Sequence, residues 1–338
     1  MALRRFPEGM PDPDDFIVVE QPVPALQRGA VLVENSWFSL DPSMRIRMSG
    51  GESSYFAPYR IGAPLDGWAV GTVVESSNPD FTVGDTLHHA CGWREHAVLV
   101  PDGSDWTSPR PVGVGGAIDA RHHLSVLGAS GFTAWAGLFK VAQLGPGETV
   151  FVSAAAGAVG SLAVQFAKLR GARVIASAGT SEKVRRLTGA LGADAAFDYR
   201  TRPIGESLRS AAPDGIDVYF DSVGAEHLDA ALESLRPGGR VALCGQIENY
   251  NHGTGASKGV TRLFSAIEKG LTLRGFLARM YTDDFGEFRS EVSHWFERGM
   301  LTVDETVIDG LENAPQGFIG MLGGANIGKT LVRLQAEA

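Results

Sequence analysis

The stretch Gly147–Gly179, "GETVFVSAAAGAVGSLAVQFAKLRGARVIASAG", decides the fold. It opens on a run of β-branched and aromatic residues, "TVFV", and passes through a turn of small residues. It continues with apolar positions at helical spacing, stops at Gly171, and ends in a second apolar run. Strand, turn, helix, glycine stop and strand make a βαβ unit. Inside it, "SAAAGAVGS" (Ser153–Ser161) nearly matches the G-x-G-x-x-G turn. Gly157 and Gly160 hold the second and third glycine places, and Ala155 holds the first. On its own, G-x-x-G also reads as tight packing of a helix on a strand. Its place between a strand and a helix favours a pyrophosphate site, because the amides that open a helix point outward where the helix dipole is positive. The second glycine lets the backbone approach a phosphate. The first serves the turn, where alanine fits if its φ is negative.

The second strand indicates which nucleotide. An NAD site carries an acid at that strand's end to bond the ribose hydroxyls. Here Ser177, Ala178 and Gly179 supply none, and Lys183 follows, with Arg185 and Arg186 close behind. A small loop with a nearby ammonium accommodates a 2′-phosphate that an acid would repel. The pattern predicts NADP(H). Lys183 also reads as a solvated residue in the first turn of a helix, and Arg186 is the second phosphate candidate.

Working outward, the first ~120 residues are β-rich, with short runs such as "DFIVVEQPVP", "GAVLVENSWFSL" and "GWAVGTVVESS" separated by Pro, Gly, Asn and Asp. Near Arg121 the texture changes. Strand-like runs in "GADAAFDY", "GIDVYFDSVG", "RVALCGQ" and "LTLRGFL" then alternate with helical segments such as "AEHLDAALESLRPGG". That beat predicts a parallel sheet covered on both faces. "DFGEFRSEVSHWFERGML" has amphipathic helical spacing, and the tail after it is expected to return to the first lobe.

The 338 residues are long for one core and point to two lobes. A net charge of −9 argues against nucleic acid and against a polybasic membrane patch. No apolar run approaches the ~18 residues of a membrane span. "MALRRFPEGM" has no apolar stretch after its arginines, so no signal peptide is expected. Cys91 and Cys244 are the only cysteines, which favours a reducing, cytoplasmic setting.

Seven motifs in order then carry a resemblance: "SLDPSMR" (Ser39–Arg45), "LGASGFTAWAGL" (Leu127–Leu138), "AAAGAVGS", "YFDSVG" (Tyr219–Gly224), "GQIENYN" (Gly245–Asn251), "GFL" (Gly275–Leu277) and "GMLGGANIGKTLV" (Gly320–Val332). The chain resembles the zinc-independent medium-chain dehydrogenases/reductases, in the branch of prostaglandin reductases, leukotriene B4 12-hydroxydehydrogenases and alkenal double-bond reductases. The resemblance implies an α/β fold in which a Rossmann domain (123–300), doubly wound with strand order 3-2-1-4-5-6, is inserted in a GroES-like β-rich lobe (1–122 plus 301–338). It places the cofactor in the cleft between them and implies a homodimer.

By the same resemblance, Gly157, Ala158 and Val159 form the pyrophosphate turn, and Gly179, Lys183 and Tyr199 contact the 2′-phosphate and adenosine ribose. Ser222 stands where these enzymes commonly have Asn. Tyr250 and Asn251 belong to a loop over the cofactor. Phe276 and Leu277 lie beside the nicotinamide, Asn326 lies near the nicotinamide and its ribose, and Thr133 sits on the helix flooring the cofactor. Ser43 and Ala129-Ser130 depart from the usual residues of the substrate region. Tyr55, Trp93 and Tyr281 are placed at the pocket.

No metal is expected. Two cysteines cannot make a four-cysteine site, and "HHAC" (His88–Cys91) and "RHH" (Arg121–His123) lack complementary ligands, so they read as surface or interface histidines. Without a metal, reduction of an activated carbon–carbon double bond is the expected chemistry. Hydride from NADPH adds to the β-carbon of an enone or alkenal. The resemblance implies the nicotinamide ribose 2′-hydroxyl and the phenol of Tyr250 as hydrogen-bond donors to the enolate oxygen, with the α-carbon protonated from Tyr250 or from water. An NADPH quinone oxidoreductase and a non-catalytic NADPH-binding protein stand as alternatives.

Overall fold

The computed structural model describes residues 1–51, 56–101, 103, 106–112, 118–251 and 259–334. The chain divides into two compact units, Met1–Gly128 with Glu305–Ala338, and Ala129–Asp304.

The second unit holds a six-stranded parallel sheet. Its strands are β1 (Thr149–Val152), β2 (Arg173–Ala178), β3 (Ala195–Asp198), β4 (Ile216–Asp221), β5 (Leu235–Leu243) and β6 (Thr272–Gly275), in spatial order 3-2-1-4-5-6. Helices α1 (Ala158–Leu169), α2 (Ser181–Gly189), α3 (Ile204–Ala211), α4 (Ala225–Ser234) and α5 (Leu263–Lys269) connect them. The middle strands read as unbroken apolar runs because both faces are covered: every residue of β1 is buried, and so is every residue of β2 after Arg173. Each fully buried Val or Phe there contributes roughly 1.5–3 kcal/mol.

One boundary differs from the sequence expectation. The helix expected through "AEHLDAALESLRPGG" ends at Ser234, and β5 already begins at Leu235, which pairs with Ile216. Pro237 keeps Arg236, the residue before it, out of the helical region, and the pairing of Leu235 with β4 starts the strand one residue earlier.

The first unit is built on a seven-stranded sheet centred on Val31–Leu40. The tail does return to it: Lys329–Arg333 pairs antiparallel with that strand, Leu331 facing Ser39. Lys329 is buried, donates to Leu40 O at 3.3 Å and pairs with the Asp41 carboxylate, which also accepts from Ser39 Oγ at 2.5 Å.

Two expectations are corrected in this unit. Trp93 does not line a pocket. It is fully buried, stacked on Phe16 at 6.0 Å and packed against Phe38 and Phe318 in the core. The histidines are not on the surface either: His88, His89 and His123 are buried. Both faces of the strand Thr86–His89 are covered, so alternation sends neither ring to water. The His88 ring stacks on Trp68 at 5.1 Å, and His89 Nδ1 accepts from Cys91 N at 3.1 Å. Burial lowers both pKa values, that of His89 to about 3, so both rings stay neutral. Among the described residues no helix is long and apolar enough to cross a membrane.

Candidate functional site

Every strand of the parallel sheet delivers a predicted site residue at its C-terminal end. The small-residue turn follows β1, Gly179 follows β2, Tyr199 follows β3, Ser222 follows β4, Tyr250 follows β5, and Phe276 with Leu277 follows β6. Such a rim is where open α/β sheets bind ligands.

At the β1 rim, Gly157 caps α1 with extended backbone (φ −86°, ψ 179°), and as a glycine it has no side chain with which to cap the helix. Ala158 and Val159 are the first two residues of that helix, where backbone amides lack partners within the helix. The two glycines differ. A Cβ at Gly160 would lie 2.4 Å from Ala154 O and 2.7 Å from Ala155 Cα, so only glycine permits this helix-to-turn contact. A Cβ at Gly157 would meet one atom, Ala154 O, at 3.3 Å. The left-handed conformation in this turn belongs to Ala154 (φ +47°), not to Ala155, whose amide donates to Ser177 O on β2 at 3.0 Å.

At the β2 rim the absence of an acid is matched by cations. Lys183 is half-buried in the first turn of α2, and its pKa is lowered first by burial and then by the Arg200 charge. A Cβ at Gly179 would sit 2.9 Å from Tyr199 Oη and 3.1 Å from Arg200 Nε. Glycine here lets the phenol and the guanidinium close on the strand end. Tyr199 packs edge-on against His227 at 5.0 Å. Arg200 is the candidate that sequence reasoning missed; its signal was a basic residue directly after Tyr199. Arg186 is engaged elsewhere, by Asp304.

At the β4 rim, Asp221 is buried and shapes the loop. Its Oδ1 accepts from Tyr219 Oη (2.7 Å), Val223 N (3.0 Å) and Gly224 N (2.8 Å). Ser222 N donates to Ser153 Oγ at 3.0 Å, tying β4 to the β1 turn. The Ser222 hydroxyl is buried, interacts with the Cys244 thiol and has no partner of hydrogen-bond geometry.

Tyr250 is half-buried, with its phenol oxygen 3.4 Å from Gln246 N. A Cβ at Gly245 would come within 3.2 Å of that oxygen. Burial raises the Tyr250 pKa above its usual value, so the phenol keeps its proton at neutral pH. Phe276 is buried, 6.3 Å from the Tyr281 ring, and its ring tip would lie 2.7 Å from a Cβ at Gly137. Leu277, Tyr281 and Asn251 are partly exposed.

The remaining candidates are placed separately. Thr133, on the helix Ala129–Ala136, donates its hydroxyl to Ala129 O at 2.7 Å. Asn326 belongs to the first unit, where its Nδ2 donates to Gly328 O at 2.8 Å. Tyr55 lies outside the described residues. Among the described residues no group of three or more His, Cys, Asp or Glu could hold a metal ion.

Comparison with known proteins identifies the family. Residues 1–107 match the family model described as the N-terminal domain of oxidoreductase, and residues 158–296 match the one described as zinc-binding dehydrogenase. The chain is 38% identical to the NADPH-dependent curcumin reductase of Escherichia coli (strain K12), over 99% of this chain and 96% of that protein. It is 36% identical to the NADP(+)-dependent 2-alkenal reductase of Nicotiana tabacum, over 100% and 97%. The crystal structure of CurA from Vibrio vulnificus in complex with NADPH is similar with a TM-score of 0.91 at 34% identity, covering 99% of each chain. The chain belongs to the zinc-independent medium-chain dehydrogenase/reductase family.

Proposed function

We propose that the chain is an NADPH-dependent reductase of the carbon–carbon double bond in α,β-unsaturated aldehydes and ketones. The observation that carries this reading is the pairing, on one sheet rim, of an acid-free cationic corner after β2 with a protonated phenol after β5. The relatives named for NADPH-dependent curcumin reduction and 2-alkenal reduction support it.

The residues fit the cofactor. The uncapped start of α1, with Gly157, Ala158 and Val159, would hold the pyrophosphate. The end of β2 at Gly179, on which Tyr199 and Arg200 close and after which Lys183 follows in the first turn of α2, would hold the 2′-phosphate. The Ser222 hydroxyl is left for a ribose, Phe276 and Leu277 would flank the nicotinamide, and Thr133 would floor it. When bound, NADPH supplies the hydride that adds to the substrate β-carbon. Tyr250 then donates a hydrogen bond to the carbonyl oxygen as negative charge gathers there, a role its raised pKa suits. The proton that reaches the α-carbon comes from this phenol or from water.

The test is direct. Purified protein is mixed with NADPH or NADH, and cofactor absorbance is followed with alkenals, enones and quinones. Turnover of alkenals and enones with NADPH is expected. Turnover confined to quinones, or NADPH binding with no turnover, overturns the reading.

We infer three further features of the same protein. Residues 129–304 serve as the NADP-binding domain, and the other unit serves the substrate. The chain pairs as a homodimer through α5 and the edge strand β6: Leu263, Phe264 and Ile267 are 52%, 67% and 76% exposed, an apolar surface that calls for cover. Cys91 and Cys244 are both unpaired, which supports a cytoplasmic location.

A further inference from the structure

The segment Thr302–Asp304, where the chain leaves the parallel-sheet unit, holds two helices at once. Thr302 is bound through both backbone groups by one side chain of α1. Gln165 Oε1 accepts from Thr302 N at 2.7 Å, and Gln165 Nε2 donates to Thr302 O at 3.0 Å. Gln165 is itself buried. Two residues on, Asp304 takes the Arg186 guanidinium of α2 at two points, Nε to Oδ2 at 3.0 Å and Nη2 to Oδ1. The Asp304 side chain is only 12% exposed.

These are the helices of the two phosphate corners. α1 follows the small-residue turn, and α2 carries Lys183 in its first turn. Leu187 is the only buried residue of α2, so the helix has little apolar anchorage of its own. Arg186 lies three residues after Lys183 and shares its face. A two-point guanidinium–carboxylate bond fixes orientation as well as distance.

We propose that Thr302–Asp304 is a strap that fixes α2 against α1, and that Asp304 is a positioning residue for the choice of NADPH over NADH. Through Arg186 it holds Lys183 at the spacing from the α1 turn that a nucleotide carrying both a pyrophosphate and a 2′-phosphate requires. The inference rests on the reading of Lys183 given under Proposed function.

The test uses Asp304→Asn, Arg186→Met, the double variant and Asp304→Glu, with Lys183→Ala as reference. Calorimetry measures binding of adenosine 2′,5′-bisphosphate and of 5′-AMP; kinetics give KM for NADPH and NADH; thermal melting is followed in parallel. Asp304→Asn and Arg186→Met are each expected to weaken bisphosphate and NADPH by roughly threefold to tenfold, the scale of a partly buried ion pair. AMP and NADH stay within roughly twofold, the double variant is no worse than either single one, and Asp304→Glu restores part of the loss. If bisphosphate and AMP weaken together, or only the melting temperature moves, the strap is structural and the proposal fails. Tighter NADPH binding in Asp304→Asn, from a freed Arg186 joining the phosphate, also overturns it. If Lys183→Ala leaves the bisphosphate-to-AMP ratio unchanged, the phosphate reading falls and takes this proposal with it.

Discussion

The two glycines of the turn after β1 predict opposite phenotypes. At Gly160, an added Cβ must clear Ala154 O at 2.4 Å and Ala155 Cα at 2.7 Å, both rigid backbone. Ordinary contact needs ~3.4 Å or more, so the turn must move by about an ångström, an overpacking cost of ~1–3 kcal/mol. The gain in helix propensity from alanine offsets ~0.5–1 kcal/mol of that. Gly160→Ala is therefore expected to destabilise by ~1–2 kcal/mol net, and at ~2–4 °C per kcal/mol for a protein of this size to lower Tm by several degrees. At Gly157 the backbone is extended, which alanine adopts freely, and its Cβ meets a single atom at 3.3 Å. Gly157→Ala should melt within ~0.5 kcal/mol of wild type yet bind NADPH more weakly, because the methyl group stands where a phosphate must approach. Differential scanning calorimetry and NADPH titration on both variants decide the matter. Equal loss of stability in the two would refute the division of roles, as would Gly157→Ala with undiminished NADPH affinity.

Other outcomes follow from the same rim. Tyr250→Phe should lower kcat on enones by roughly tenfold or more while leaving NADPH affinity intact, and an unchanged kcat rules out the donor role. Lys183→Ala and Arg200→Ala should each raise KM for NADPH and spare NADH; a shift toward NADH in neither would remove the cationic corner. The buried histidines predict acid sensitivity. Burial lowers the folded pKa of His227 to about 4 and of His89 to about 3. Stability is therefore intact above the unfolded histidine value of ~6.5 and falls as pH drops toward the folded values, by ~1.4 kcal/mol per pH unit for each ring held neutral. Urea unfolding of His227→Gln between neutral pH and the folded value should show a slope shallower by one proton, and an unaltered slope would contradict the burial argument.

Much of the parallel-sheet unit could be read from residues because its strands are short apolar runs closed by Gly or Pro. "TVFV" and "VYFD" have no other comfortable state between helices of that spacing. The errors arose where sequence fixes one face and the fold supplies the other. His88 and His89 alternate, as strand neighbours do, but nothing local tells that both sides of that strand are covered. Trp93 looked like a pocket aromatic because its core partners, Phe16 and Phe318, lie far away in the chain. Arg200 was invisible for a topological reason. It meets Gly179 only because β3 pairs with β2, Asp198 beside Ala178, and that register is a property of the strand order. Arg186 and Asp304 stand 118 positions apart, beyond any local pattern.

The return of the C-terminal strand sets an order of assembly on the ribosome. Lys329 reaches Leu40 across 289 residues of chain, whereas each half of the parallel sheet is made from segments that emerge one after another. The parallel sheet can form while synthesis continues. The first lobe waits until Lys329–Arg333 has been made. Until then Trp37–Leu40 lacks its neighbour on the edge where Val31–Glu34 is already covered by His96–Leu99, and offers unpaired backbone to any passing strand. Nascent chains stalled before Lys329 should accordingly be strong chaperone clients, although their parallel-sheet unit is already complete.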